Sequence, residues 1–161
     1  GVRAMKLGAK SALCVDSSQP ALDLVSRNAE LNGVSVETLK SDALDALKAF
    51  KREGRKFNLV VVDPPALIKR KKDLDAGIEH YARLNKLAMD LLESDAYLIS
   101  CSCSHHLEAE ALQRVLLRES RNSGKRLQLL EQGGQGPDHP VHPAIPETRY
   151  LKVFYCRVLG A

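Results

Sequence analysis

The sequence predicts an α/β fold, a doubly wound and mostly parallel sheet whose last strand runs antiparallel. Three observations carry this. Short apolar segments alternate with longer amphipathic ones along most of the chain, the order expected of strand–helix repeats. One segment, FNLVVV, has Leu59, Val60, Val61 and Val62 unbroken and stops at Asp63-Pro64-Pro65. A β-branched run of this kind reads as a strand buried on both faces. The prolines end its ladder, because neither donates a backbone N–H and each restricts the residue before it. Finally, Asp16, Asp42 and Asp63 each follow a predicted strand, and open α/β sheets bind ligands at the carboxyl ends of strands.

The elements follow in order. Met5 and Leu7 close a helix at Gly8. Ser11 to Val15 is the first strand, with Asp16 at its end. Ser17 and Ser18 can cap the next helix, Pro20 to Leu31, whose Leu22, Val25, Ala29 and Leu31 are expected on one face and which stops at Asn32-Gly33. Val34 to Leu39 is a second strand. Ala43 to Arg52 is a helix with Leu44, Leu47 and Phe50 inward. After Asp63-Pro64-Pro65 comes a basic loop, Lys69 to Lys72. Ile78 to Leu92 reads as a helix with Tyr81, Leu84, Leu87, Ala88, Leu91 and Leu92 apolar. Tyr97 to Cys101 is the next strand, Leu107 to Arg121 a helix and Arg126 to Leu130 a strand. A loop rich in Gly, Pro and His spans Gly133 to Pro146, and Tyr150 to Val158 alternates as the final strand. No helix separates the last two strands, so they cannot form a parallel crossover and are expected antiparallel.

The 161 residues suit one domain with its own core, and 44% apolar with 27% charged residues is a globular balance. The longest apolar run falls far short of the ~20 residues that cross a bilayer. The four cysteines are unevenly spaced and form no disulfide framework, which suits a reducing cytoplasm. A net charge of +4 permits an anionic partner such as nucleic acid without requiring one.

Asp16 stands where an acidic residue in a dinucleotide-type fold accepts hydrogen bonds from ribose hydroxyls, and its alternative is a helix cap. Asp42 suits an adenine amine or the start of a helix. No G-x-G-x-x-G occurs, so nothing here cradles a pyrophosphate. S-adenosylmethionine, a nucleoside cofactor without phosphates, needs the acidic contacts but no such loop. Cys103, in Ser102-Cys103-Ser104, reads as a small buried hydrophobe or as a nucleophile. Cys101, Cys103, His105 and His106 raise the question of a metal, but Cys-x-Cys spacing is poor for tetrahedral zinc and no metal is expected.

Four segments in order, VDSSQPALDLVSRNAELNG, FNLVVVDPP, YLISCSCSHHL and DHPVHPAIPETRYLKVFYCRV, resemble the bacterial ribosomal-RNA large-subunit cytosine-5 methyltransferases, class I enzymes dependent on S-adenosylmethionine. The resemblance implies a Rossmann-like methyltransferase sheet, ribosomal RNA as partner and a cytoplasmic place of action. It implies that Asp16, with Ser17, holds the ribose; that Asp42, with Ala43, lies at the adenine; that Asp63, Pro64 and Pro65 meet cofactor and target base; and that Cys103 is the nucleophile, with Cys101 in the core. Lys69, Arg70 and Lys71 are placed to meet RNA phosphates, or form a solvated loop. Tyr81 could stack on RNA, or belong to the apolar helix face; His139 to His142 could also hold RNA. Relatives often have lysine and then phenylalanine after Asp-Pro-Pro, where Ala66 and Leu67 stand here.

By the same resemblance Gly1 is the last glycine of a cofactor loop, so the chain is expected to be an N-terminally truncated domain lacking the first strand and that loop. It should then not bind S-adenosylmethionine normally as a lone monomer, and a homodimer is one arrangement that could fill the gap. Two other readings stay open: an amino-methyltransferase in which Asp63 and the Pro64 carbonyl hold an exocyclic nitrogen, and a non-catalytic RNA-binding or assembly module.

Overall fold

The computed structural model describes residues 1–160, and the chain forms two compact units that divide after Ala49. The first holds α1 (Val2–Lys6), β1 (Leu13–Asp16), α2 (Gln19–Leu31), β2 (Glu37–Lys40) and most of α3 (Ala43–Arg52). β1 and β2 pair in parallel, Leu13 opposite Glu37 and Asp16 opposite Lys40. Ser18 caps α2, its Oγ accepting from Ala21 N–H at 3.4 Å, with Pro20 in the first turn. Beyond the helix Gly33 takes φ 63°, a left-handed turn that glycine enters without a Cβ penalty. Leu22 and Ala29 are buried as expected, but Leu31 is 77% exposed. At 3.6 residues per turn, Leu31 lies half a turn out of phase with Leu22 and does not share its face.

The second unit holds β3 (Phe57–Val62), α4 (Leu74–Asp90), β4 (Leu92–Ser102), α5 (Ala109–Asn122), β5 (Lys125–Gly133) and β6 (Lys152–Gly160). Its sheet runs β3-β4-β6-β5. β3 and β4 are parallel, with Val60 opposite Leu98 and Val62 opposite Ser100. β6 lies antiparallel between β4 and β5, so the last strand pair is antiparallel as the missing crossover helix requires. α4 starts earlier than the apolar pattern suggests, and Leu92 belongs to β4 rather than to the helix.

Helices α4 and α5 pack on each other and on the sheet. Under them Leu98, Ser100, Phe154, Cys156 and Val158 are buried together with Tyr81, Leu84, Leu112 and Leu116. The opposite sheet face is open along β3: Leu59 is 44% and Val61 56% exposed, and Tyr97 and Tyr155 are exposed on the same face, whereas Cys101 and Val153 are buried. The expectation that the Leu59–Val62 run is buried on both faces is therefore corrected. Among the described residues β3 is an edge strand paired only with β4, and one of its faces is uncovered. An apolar run records what a strand can tolerate on each side, not what lies there.

Candidate active site at the carboxyl ends of β3 and β4

Two neighbouring parallel strands end side by side, so the segments leaving them meet. Asp63-Pro64-Pro65 leaves β3, and Ser102-Cys103-Ser104 ends and leaves β4. Ser102 and Ser104 are fully buried, whereas Cys103 between them is half-buried. The Cys103 Sγ lies 3.9 Å from the Pro64 carbonyl oxygen. Asp63 is exposed. The resemblance implies that the Asp63 segment and Cys103 both act at the target base, and the structure brings their two segments together.

The two cysteines of the Cys-Ser-Cys run differ sharply. Burial, then the negative charges of Asp63 and Cys103, push the Cys101 thiol up to about 12. Cys101 is thus a core thiol that stays protonated at neutral pH, and thiolate is the nucleophilic form. The partly open cysteine is Cys103.

Other residues enter this site that no motif announced. The Tyr81 hydroxyl lies 3.0 Å from Ser104 Oγ and accepts from Ser102 Oγ at 2.9 Å. The Ile68 N–H donates to Ser104 Oγ at 3.1 Å, and Ser104 N–H donates to Ser102 Oγ at 3.2 Å. Lys152, at an inward position of β6, donates from Nζ to the carbonyls of Ser104 at 2.6 Å and Tyr150 at 2.8 Å. Burial holds its pKa below the usual lysine value, partly offset by Glu108 and Cys103. The available signal was Lys152, a lysine at an inward place in an alternating strand.

Tyr81 is fully buried, so the expectation that it stacks on RNA is corrected. The same hydroxyl that could have met a base is used beneath the Cys103 loop. In the basic loop Lys69, Arg70, Lys71 and Lys72 are exposed. Arg70 Nε pairs with Asp73 Oδ2 at 2.8 Å, and that hydrogen bond holds its guanidinium above its ordinary pKa. Lys69, Lys71 and Lys72 have no carboxylate partner among the described residues. A cleft of about 430 Å³ adjoins Lys152, lined also by Glu108, Gly133, His139 and Arg149. His139 meets Tyr150 edge-on, with ring centroids 6.5 Å apart.

The cofactor candidates lie in the first unit. Asp16 ends β1, and its backbone carbonyl accepts from Ser41 N–H at 3.0 Å, so the loops after β1 and β2 adjoin. Asp16 Oδ1 accepts from Ser18 N–H at 2.7 Å. Asp42 Oδ1 accepts from Leu44 and Asp45 N–H at 2.8 and 3.2 Å, so the helix-starting alternative describes that oxygen. Each carboxylate keeps its second oxygen without a hydrogen-bond donor among the described residues. Ser17 and Ala43 are exposed beside them. Two exposed carboxylates at adjacent parallel strand ends are a donor-seeking set, which fits the hydroxyls and amine of a nucleoside.

Ribosomal RNA large subunit methyltransferase I of Serratia proteamaculans is 36% identical over 98% of this chain, and its namesake in Vibrio cholerae is 36% identical over 99%. The chain spans 41% of the length of each. A solved structure of a protein assigned as a methyltransferase and complexed with SAH superposes with a TM-score of 0.81 at 18% identity, over 97% of this chain and 41% of that one. That likeness carries the fold, the Rossmann-like α/β sheet of class I methyltransferases. The family described as "Conserved hypothetical protein 95" matches residues 1–126. With more than three quarters of its length inside that match, the chain belongs to that family.

Proposed function

We propose that this chain is the catalytic part of an S-adenosylmethionine-dependent methyltransferase that forms 5-methylcytosine in ribosomal RNA through a covalent adduct at Cys103. One observation carries the reading: of the Ser102-Cys103-Ser104 run, only the thiol is partly open, and it sits 3.9 Å from the carbonyl of the Asp-Pro-Pro motif. The names of the 36% identical relatives support ribosomal RNA as the substrate and methyl transfer as the reaction.

S-adenosylmethionine, when bound, supplies a methyl group on a positively charged sulfur. Asp16 and Asp42 would accept from its ribose hydroxyls and adenine amine, with Ser17 and Ala43 alongside and Pro64 near the methyl. The residues of the chain then do the rest. The Cys103 thiolate adds to cytosine C6, forming the Sγ–C6 bond and pushing the C5–C6 π pair onto C5, which takes the methyl. A base removes the C5 proton, the double bond re-forms and the thiolate leaves, so covalent catalysis divides one hard step into easier ones. Asp63 and Pro65 would border the base. The target must be unpaired or flipped out. Lys69, Arg70 and Lys71 would meet the phosphates around it.

The test is trapping with RNA carrying 5-fluorocytidine, which has no C5 proton to release. The full-length protein containing this sequence should form an adduct that survives denaturation. Cys101→Ala should keep it and Cys103→Ala should lose it. An adduct that persists in Cys103→Ala, or methyl found on an exocyclic nitrogen, rejects the reading in favour of an amino-methyltransferase or another nucleophile.

A further inference from the structure

We propose that Tyr81 and Ser104 are positioning residues that set the Cys103 sulfur over the Asp-Pro-Pro segment without touching the base. This rests on Cys103 being the nucleophile. The three side chains of the Ser-Cys-Ser run alternate in, out and in: both serines are fully buried and the cysteine is not. Both inward serines are tied to one hydroxyl, that of Tyr81, at 2.9 and 3.0 Å.

The proton directions can be assigned. Ser104 N–H donates to Ser102 Oγ, Ser102 Oγ donates to Tyr81, and the Tyr81 hydroxyl is left to donate to Ser104 Oγ. The bonds close a ring through the residues on either side of Cys103, so its Cα is held at both shoulders. A hydroxyl donor needs an acceptor when buried, and the ring meets that need for Ser102 and Tyr81 with no water.

The second half of the argument concerns the partner segment. Ser104 Oγ also accepts from Ile68 N–H, and Ile68 lies in the loop that continues Asp63-Pro64-Pro65. One oxygen therefore joins the loop leaving β4 to the loop leaving β3. Ile68 is 2% exposed and packs so closely on Gly77 of α4 that a Cβ there would overlap its Cγ1. Lys152 Nζ also donates to the Ser104 carbonyl. The distance from Cys103 to Pro64 is thus a property of this ring and its anchors. An alternative view, that Tyr81 is merely a satisfied core tyrosine, explains its burial. It does not explain why its one hydroxyl joins both neighbours of the partly open Cys103 thiol.

The experiment uses the full-length protein with 5-fluorocytidine RNA at saturating RNA and cofactor. The variants are Tyr81→Phe, Ser104→Ala and Ser104→Thr. Tyr81→Phe and Ser104→Ala should slow adduct formation by about ten-fold or more, the scale on which small misplacements of a reacting atom act. RNA and cofactor affinities should be unchanged, and Ser104→Thr, which keeps the hydroxyl, should recover most of the rate. Wild-type rates in Tyr81→Phe and Ser104→Ala overturn the proposal. So do equal rates in Ser104→Ala and Ser104→Thr, which also decide the matter should Tyr81→Phe fail to fold. If instead the wild-type protein forms no adduct, or Cys103→Ala forms one, it is the nucleophile reading that fails and the positioning role falls with it.

Discussion

Gly77→Ala should destabilise the protein, against the usual effect of that change in a helix. Gly77 is buried in α4 and its φ is not in the left-handed region, so alanine fits the backbone. Helix propensity alone then favours alanine by about 1 kcal/mol. The opposing effect is steric. The new methyl would overlap Ile68 Cγ1 and crowd its Cδ1, and Ile68 at 2% exposure has little room to move. Overpacking of this kind costs about 1–3 kcal/mol. The balance is a loss of roughly 0–2 kcal/mol.

A double-mutant cycle isolates the clash. Ile68→Ala alone should cost about 2–5 kcal/mol through the cavity it opens. Removing that side chain also removes the overlap, so Gly77→Ala in the Ile68→Ala background should become stabilising by about 1 kcal/mol. The coupling should therefore be about 1–3 kcal/mol, well above the ~0.5 kcal/mol within which independent sites add. Urea unfolding followed by circular dichroism measures all four corners. Gly77→Ala more stable than wild type on its own, or effects that add, would show that the packing of the Asp-Pro-Pro loop on α4 is not as described.

Two further expectations follow from buried and paired groups. Cys101 and Cys156 are buried and burial pushes each thiol up to about 12, so at pH 8 native protein should alkylate at Cys103 and Cys14 while these two react only after unfolding; peptide mass spectrometry reads this, and rapid native labelling of Cys101 would contradict its place in the core. Burial raises the Asp90 carboxyl, but the Lys51 bond at 2.7 Å and the charge of Lys86 outweigh it and hold the pKa below the ordinary carboxylate value. Its stabilisation is therefore fully present above the unfolded-state value of about 4 and lost as pH falls through the lower folded value. Asp90→Asn should cost about 1 kcal/mol or less at pH 7, and its difference from wild type should vanish in acid; a difference that grows below pH 4 would refute the assignment.

Much of the site was written in short local patterns. Asp-Pro-Pro after a β-branched run marks a strand end from chemistry that proline imposes wherever it occurs, and Ser-Cys-Ser after YLISC marks another. The two final strands without a helix between them could only pair antiparallel. What the pattern could not carry is which elements lie against each other. Leu59 and Val61 look like core residues in sequence yet are exposed, because burial depends on whether another element covers that face. Leu31 shows the same limit at finer scale, apolar but a half-turn away from its helix's packed side.

The residues of the sequence by itself determined the α/β order, the strand ends that carry Asp63 and Cys103, and the acidic residues after β1 and β2. These follow from backbone restrictions and side-chain chemistry that act within a few positions. Only the tertiary structure decided that Cys103 is partly open between two fully buried serines, and that Tyr81 serves the thiol's loop rather than a base. It alone placed Ile68, Gly77 and Lys152 around the same few atoms. Those outcomes depend on contacts between residues tens of positions apart, where a hydroxyl finds its partners only after strands, helices and loops have been brought together.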